Sequence, residues 1–174
     1  MSETTRPLAP EQVATLLRAM GENLQNELRA LPVEVLRWHP APEEWCVLEA
    51  LGHLIEAERR GFAGRVRQLL ERDGAAFHSW DPAEVARARR DCKRDPAAML
   101  VELARLRRES VALVGRVEPA DLDRGGEHPT VGRLTIGDLL QEWVHHDRNH
   151  VKQIFTNVQQ YVWPHMGNCQ RFSA

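Results

Sequence analysis

The chain has 174 residues, 43% hydrophobic and 28% charged, the make-up of an ordinary globular protein whose length fits one domain over 1–174 better than two. Its 23 basic and 25 acidic residues leave a formal net charge of -2. With those charges spread along the whole length, binding to nucleic acid or to an anionic membrane is not expected. The opening Met-Ser-Glu-Thr-Thr-Arg-Pro lacks the basic start and apolar core of a secretion signal, and no apolar run approaches the ~20 residues that span a bilayer. A cytoplasmic protein is therefore expected. Cys46, Cys92 and Cys169 are far apart and form no C-x-x-C pair, so neither a disulfide framework nor a cysteine zinc site is expected.

In chain order, the apolar recurrence is that of amphipathic helices, and no stretch between them shows the sustained alternation of a strand. The first helix runs from about Pro10 to Ala30, with Val13, Leu16, Leu17, Met20, Leu24 and Leu28 on one face. Pro10 suits its first turn, where a missing N–H leaves no helical bond unmade. A linker with Pro32, Pro40 and Pro42 leads to a second helix, roughly Val47 to Asp73, with Leu51, Leu54, Ile55, Phe62, Val66 and Leu69 inward and Gly74 as its stop. The polar section from Gly74 to Asp95, with a short helix after Asp81-Pro82, is too long for a tight turn. Such a crossover lets two successive helices run the same way.

Asp95 and Pro96 read as N-cap and first residue of a third helix extending to about Val117, with Leu100, Leu103, Leu106, Val111 and Val114 inward. Turn formers fill Asp121 to Leu134. Thr135 with Asp138 then resembles a capping box, opening a fourth helix from Ile136 to about Gln159, followed by an irregular tail. The fold class expected is all-α: a four-helix bundle with a long crossover between helices 2 and 3.

The chemically informative stretch is Trp143-Val-His-His-Asp-Arg-Asn-His-Val-Lys-Gln-Ile154. His146 and His150 are four apart, which on a helix turns both imidazoles toward a shared point. They lie in line with Trp143 and Ile154, so their face is the inward one. Imidazole is the commonest metal ligand, but two from one helix rarely hold an ion tightly. His53, mid-helix with Ala50 and Ala57 one turn to either side, is the best third donor. Three protein nitrogens would leave a coordination position open, the mark of catalytic sites rather than structural ones. Interior histidines bonded to carbonyls or carboxylates fit the same spacing, so spacing alone leaves both readings standing.

The run Pro42-Glu-Glu-Trp-Cys-Val-Leu-Glu-Ala-Leu-Gly-His53-Leu-Ile-Glu-Ala-Glu58, taken with His146-Asp-Arg-Asn-His150-Val-Lys-Gln-Ile154, resembles the DinB-like family, also called YfiT-like, over roughly Glu11 to Val158. The resemblance implies a four-helix bundle with a long crossover. It also implies a divalent metal, zinc or nickel first, held by His53, His146 and His150. The activity implied is that of a metal-dependent enzyme on small-molecule substrates, an S-transferase using a low-molecular-weight thiol or else a hydrolase, in a chain that often pairs as a homodimer. The rival class is a non-catalytic metal-binding bundle acting in stress response or ligand sensing. No catalytic residue beyond the metal ligands stands out.

Several neighbours carry two readings. Cys46 stands where the family usually has Ser or Thr as N-cap, with Glu49 completing the box. A packed, inert thiol is the expectation there, against a reactive one at a helix start. Glu142 and His145 form one E-x-x-H, but a di-iron site needs two such motifs. Glu56, Asp147 and Gln153 are candidates to orient ligand rings, against a plain surface role. His39, His78, His128 and His165 have no spacing argument.

Overall fold

The computed structural model describes residues 5–173. Helix α1 spans Pro10–Ala30, opened by Pro10 and by the Gln12 side chain, which accepts the Ala9 N–H at 2.9 Å. In the proline-rich linker a short helix α2, Val33–Arg37, forms immediately after Pro32. Helix α3, Val47–Glu56, continues through a π-helical turn, Ala57–Phe62, into α4, Ala63–Glu71, so the expected second helix is a single rod with a wide turn in its middle. The crossover holds α5, Pro82–Arg89, capped by Asp81 Oδ1, which accepts from the N–H groups of Ala83 and Glu84. Helix α6 is Pro96–Val114, and α7 is Ile136–Val162. At the start of α7, Thr135 Oγ1 accepts the Asp138 N–H at 3.0 Å while Asp138 Oδ2 accepts the Thr135 N–H at 2.9 Å, the capping box expected there.

The core shows the direction of each rod. At one end Val13 and Leu17 of α1 pack with Val66 and Leu69 of α4, Val114 of α6 and Leu140 of α7. At the other, Leu24 and Leu28 meet Leu48 and Leu51 of α3, Leu103 of α6 and Ile154 of α7. Thus α1 and α7 run one way, and the α3–α4 rod and α6 run the other. Two successive parallel rods require a connection as long as the bundle, and 72–95 is that connection. The fold is the four-helix bundle with a long crossover that the sequence implies.

The structure departs from the expected elements in three places. The turn-rich stretch before α7 contains a hairpin, β1 Gly125–His128 with β2 Gly132–Thr135, registered Gly125↔Thr135 and His128↔Gly132. Strands this short and glycine-rich carry too few side chains for alternation to be read. Inward positions on α6 include Leu113 in place of Val111, which is only partly buried, and α6 ends at Val114 although Val117 remains buried. Leu100 and Leu103, expected inward, are 4% and 0% exposed and belong to the core. Finally, α7 outlasts its expected end by a turn, and Tyr161 meets Trp38 edge-on with ring centroids 5.5 Å apart. No helix among the described residues is long and apolar enough to cross a membrane.

The hairpin is sewn to the crossover. Phe77 N–H donates to Glu127 O at 2.8 Å, and Glu127 N–H donates to Ala75 O at 2.9 Å. This brings the backbone so close that a Cβ on Gly126 would lie 2.4 Å from Ala75 O. Because the obstacle is backbone, Gly126→Ala is expected to cost about 1–3 kcal/mol, as overpacking does. Urea unfolding should show a lowered midpoint with an unchanged slope.

Candidate metal centre

Residues from two rods that meet side by side build the site. His53 stands on α3, 9% exposed, between the buried Ala50 and Ala57. His146 and His150, one turn apart on α7, face it. The rings converge: centroids are 4.4 Å apart for His53 and His150, 4.5 Å for His146 and His150, and 5.0 Å for His53 and His146. One ring nitrogen from each lies within 4.8 Å of the others, and the Nε2 atoms of His53 and His146 are 2.9 Å apart.

The outward nitrogen of His150 has an acceptor that selects its tautomer. His150 Nδ1 lies 2.9 Å from Gln153 Oε1, an acceptor, so the proton sits on Nδ1 and the Nε2 lone pair is free. His146 Nδ1 lies 3.6 Å from Asp147 Oδ1 and, being buried, has a carboxylate as its nearest anionic partner. Gln153 therefore orients the His150 ring, Asp147 stands beside His146 just beyond direct hydrogen-bond distance, and Glu56 does neither. Its carboxylate is taken by Arg60 and Arg89. Burial and the two facing imidazoles push His53 down to about 3, and burial also lowers His150. Such rings are neutral at physiological pH, with lone pairs available. Imidazoles converging nitrogen to nitrogen, with His150 steadied from behind by Gln153, suit a cation better than they suit one another.

Aromatic side chains enclose the donors. Trp45 stacks on His150, centroids 6.3 Å apart at 24°, and its carbonyl accepts from Asn157 Nδ2 at 2.7 Å, which ties the head of α3 to α7. Phe62 lies edge-on to His146 at 5.1 Å and stacks on Trp143 at 5.2 Å. The π-helical turn positions it. Five residues separate Ala57 and Phe62, one more than an α-helical turn supplies, so both are buried while Arg59 and Arg60 stay outside.

Beneath His146 lies a buried ion cluster. Arg107 Nη2 of α6 is 2.7 Å from Asp147 Oδ2 and 2.9 Å from Glu58 Oε2, and Arg107 Nη1 donates to Leu17 O at 3.3 Å. Burial would raise Asp147, but Arg107 and the His146 contact hold it below the usual carboxylate range. Burial pushes Glu58 up to about 7 against the pull of Arg107. Sequence reading passed over Glu58 and Arg107. The available signal was a charge on the apolar stripe of α6, since Arg107 is one heptad before Val114 and four residues after Leu103.

On one side the rings open into a cleft of about 850 Å³. His53, His146 and Phe62 form its floor, while Arg65, Trp80, His128, Arg133 and Glu142 line its walls. Arg60 and Arg65 lie over the Trp80 ring at 4.5 and 5.3 Å. Glu142 and His145 sit exposed at the rim, 3.8 Å apart. Cys46 is fully buried with its thiol pushed up by that burial, so the inert reading of it stands over the reactive one. The cysteines are free, and Cys46 and Cys92, remote along the chain, come together beside His39 and Glu49.

A model of the DinB superfamily matches residues 16–154. The uncharacterized protein YuaE of Bacillus subtilis (strain 168) is 26% identical over 142 residues, which is 74% of this chain and 86% of that protein. Among solved structures, YfiT from Bacillus subtilis, described as a probable metal-dependent hydrolase with an unusual four-helix bundle topology, superposes with a TM-score of 0.82 at 19% identity. The match covers 94% of this chain and 93% of that one. At that identity the likeness carries the fold.

Removing Arg107 would leave the Glu58 and Asp147 carboxylates facing each other without a counter-charge. Arg107→Met is expected to cost about 3–5 kcal/mol in urea unfolding, as broken buried pairs do. Arg107→Lys, which keeps the charge but loses the fork, is expected to cost less.

Proposed function

Because the chain belongs to the DinB superfamily, we propose that His53, His146 and His150 hold one divalent metal ion and that the protein is a metal-dependent hydrolase of small molecules. The observation that carries the reading is the convergence of three imidazoles, two of them with pKa values lowered by burial, with His53 and His146 at the floor of an open cleft. All-nitrogen ligation suits zinc or nickel over calcium or magnesium, which prefer oxygen donors. When bound, such an ion supplies Lewis acidity that generates a nucleophile near neutral pH.

The chain's own residues do the rest. Gln153 fixes the ring orientation of His150, Asp147 sets its carboxylate 3.6 Å from His146 Nδ1, and Arg107 anchors Asp147 from below. Phe62, Trp80 and Leu134 give the cleft an apolar wall, and Arg65 and Arg133 set cationic groups along it. A substrate with an apolar body and an anionic or carbonyl-bearing end fits those surroundings. Glu142 at the rim is placed to carry protons between the cleft and water. Hydrolysis is preferred to thiol transfer because YfiT, of the same fold, is described as a probable hydrolase. Thiol transfer would use the same ion and cleft with a different nucleophile, and the rival non-catalytic bundle would use the ion alone.

Metal analysis tests the ligand set first. Wild type is expected to retain one equivalent of zinc or nickel at the triad, and His146→Ala to lose it. Asp147→Asn should weaken affinity by roughly 10–100-fold, as loss of a ligand's orienting partner does. Hydrolysis of a panel of small esters and amides should disappear with chelation and return with metal. Turnover that requires an added thiol would replace hydrolysis by thiol transfer. A loaded protein inert under both conditions would favour the non-catalytic bundle.

A pH dependence follows for the chelator-treated protein. The unfolded chain protonates His53 near 6.5, whereas the folded ring, held down at about 3, does not. Its contribution is fully present above pH 6.5 and is lost as pH falls from there toward 3. Between pH 7 and pH 5 that single linkage amounts to about 2 kcal/mol. His53→Ala should flatten the slope of unfolding free energy against pH by that amount.

A further inference from the structure

We propose that His39, Cys46, Glu49 and Cys92 form a second, closed metal site, suited to zinc, that pins the crossover to the head of α3. One donor atom from each of these residues lies within 4.8 Å of all the others. Ligands around a tetrahedral zinc, with bonds of about 2.0 to 2.3 Å, stand about 3.3 to 3.8 Å apart, so small inward side-chain rotations would close these four onto one ion. The donor set is two sulfurs, one imidazole and one carboxylate, which fills four positions and leaves none open, as in structural sites. Thiolates favour zinc over the harder oxygen-seeking ions.

The surroundings fit a small, shielded ion. Cys46 is fully buried and Cys92 is half-buried, while His39 and Glu49 cover them from the solvent side. Glu49 is already drawn into place: its Oε2 accepts the Cys46 N–H at 2.9 Å and lies 2.9 Å from His39 Nε2. The second carboxylate oxygen makes neither contact. The four residues come from three separate segments: the linker after α2, the first turn of α3, and the short helical turn Asp91–Lys93 that ends the crossover. Closing the site would thus fasten the crossover at the point where Asp91, pairing with Arg89 and Arg94, already presses against Gly52. Burial disfavours a bare Cys46 thiolate, and a bound cation offsets that cost, with both thiol protons released to water.

This inference does not depend on the histidine triad, which contains no sulfur, and the test separates the two. Cobalt(II) is added to metal-free Cys169→Ser protein, which removes the exposed third thiol. Cobalt in the triad gives no sulfur-to-metal charge transfer, so such bands report the second site alone. The expected result is intense charge transfer, saturating at one equivalent when His146→Ala has emptied the triad and by two equivalents when the triad is intact. Cys92→Ser should retain roughly half the charge-transfer intensity, since one thiolate of two remains. His39→Ala, an exposed position that leaves the fold intact, should keep the charge-transfer bands and change the d–d pattern. Absence of charge transfer in folded, fully reduced protein would overturn the proposal. So would a mass two hydrogens light with no titratable thiols, which would make the pair a disulfide.

Discussion

Arg107 is the constraint on which the rest of the site depends. Its guanidinium, 4% exposed, stands between Glu58 of the π-helical turn and Asp147 of α7, and it also donates to the Leu17 carbonyl of α1. One side chain therefore touches all the other rods of the bundle. Buried charge is costly, and a cluster like this adds little net stability beside well-packed apolar side chains. What it does fix is register. Sliding α7 along the α3–α4 rod by one turn would separate Asp147 from Arg107 and carry His146 away from His53. The ring nitrogens 2.9 Å apart depend on that register.

The same cluster explains why the rod facing α7 contains a π-helical turn. In an uninterrupted α-helix, His53, Ala57 and Gly61 would share a face and Phe62 would rotate off it. The wide turn shifts the later residues, so that Glu58 points at Arg107 while Phe62 reaches His146 and Trp143. A π-helical turn sacrifices some backbone geometry and is found most often near functional sites. Here its effect is to place one carboxylate and one aromatic ring around one imidazole.

The periodic features of the molecule were legible in the sequence. Pro10, Asp95 and Thr135 start helices as their chemistry dictates, and the apolar residues of the second rod all point inward. His146 and His150 lie on the inward face because Trp143 and Ile154 mark that face. Pairing across the molecule was much harder to read. Cys46 and Cys92 meet only because the crossover folds back, and nothing local to either residue encodes that return. Arg107 could be noticed as a charge on an apolar stripe, but its partners sit on other rods. The hairpin escaped because its pattern is made of backbone hydrogen bonds among glycines, which leave no trace in hydrophobic periodicity.

Parallel succession of the α3–α4 rod and α6 has a consequence for chemistry. In an up-and-down bundle with short loops, both ends are closed by tight turns and the interior is sealed by side chains. The crossover here instead travels the length of the bundle on the outside, carrying Trp80 to one wall of the cleft, and the hairpin sewn to it supplies Arg133 and Leu134 to another. The rods thus provide the rigid floor of histidines, while the irregular segments provide the walls of the cleft. Rigid elements keep the donor atoms within a few tenths of an ångström of a working geometry, and loops vary without disturbing them. On the proposed function, chemistry at the floor would be set by side chains locked in the core, and selectivity by residues of the crossover and hairpin. A second metal at the far end of the crossover would stiffen the connection that shapes those walls without contacting the floor.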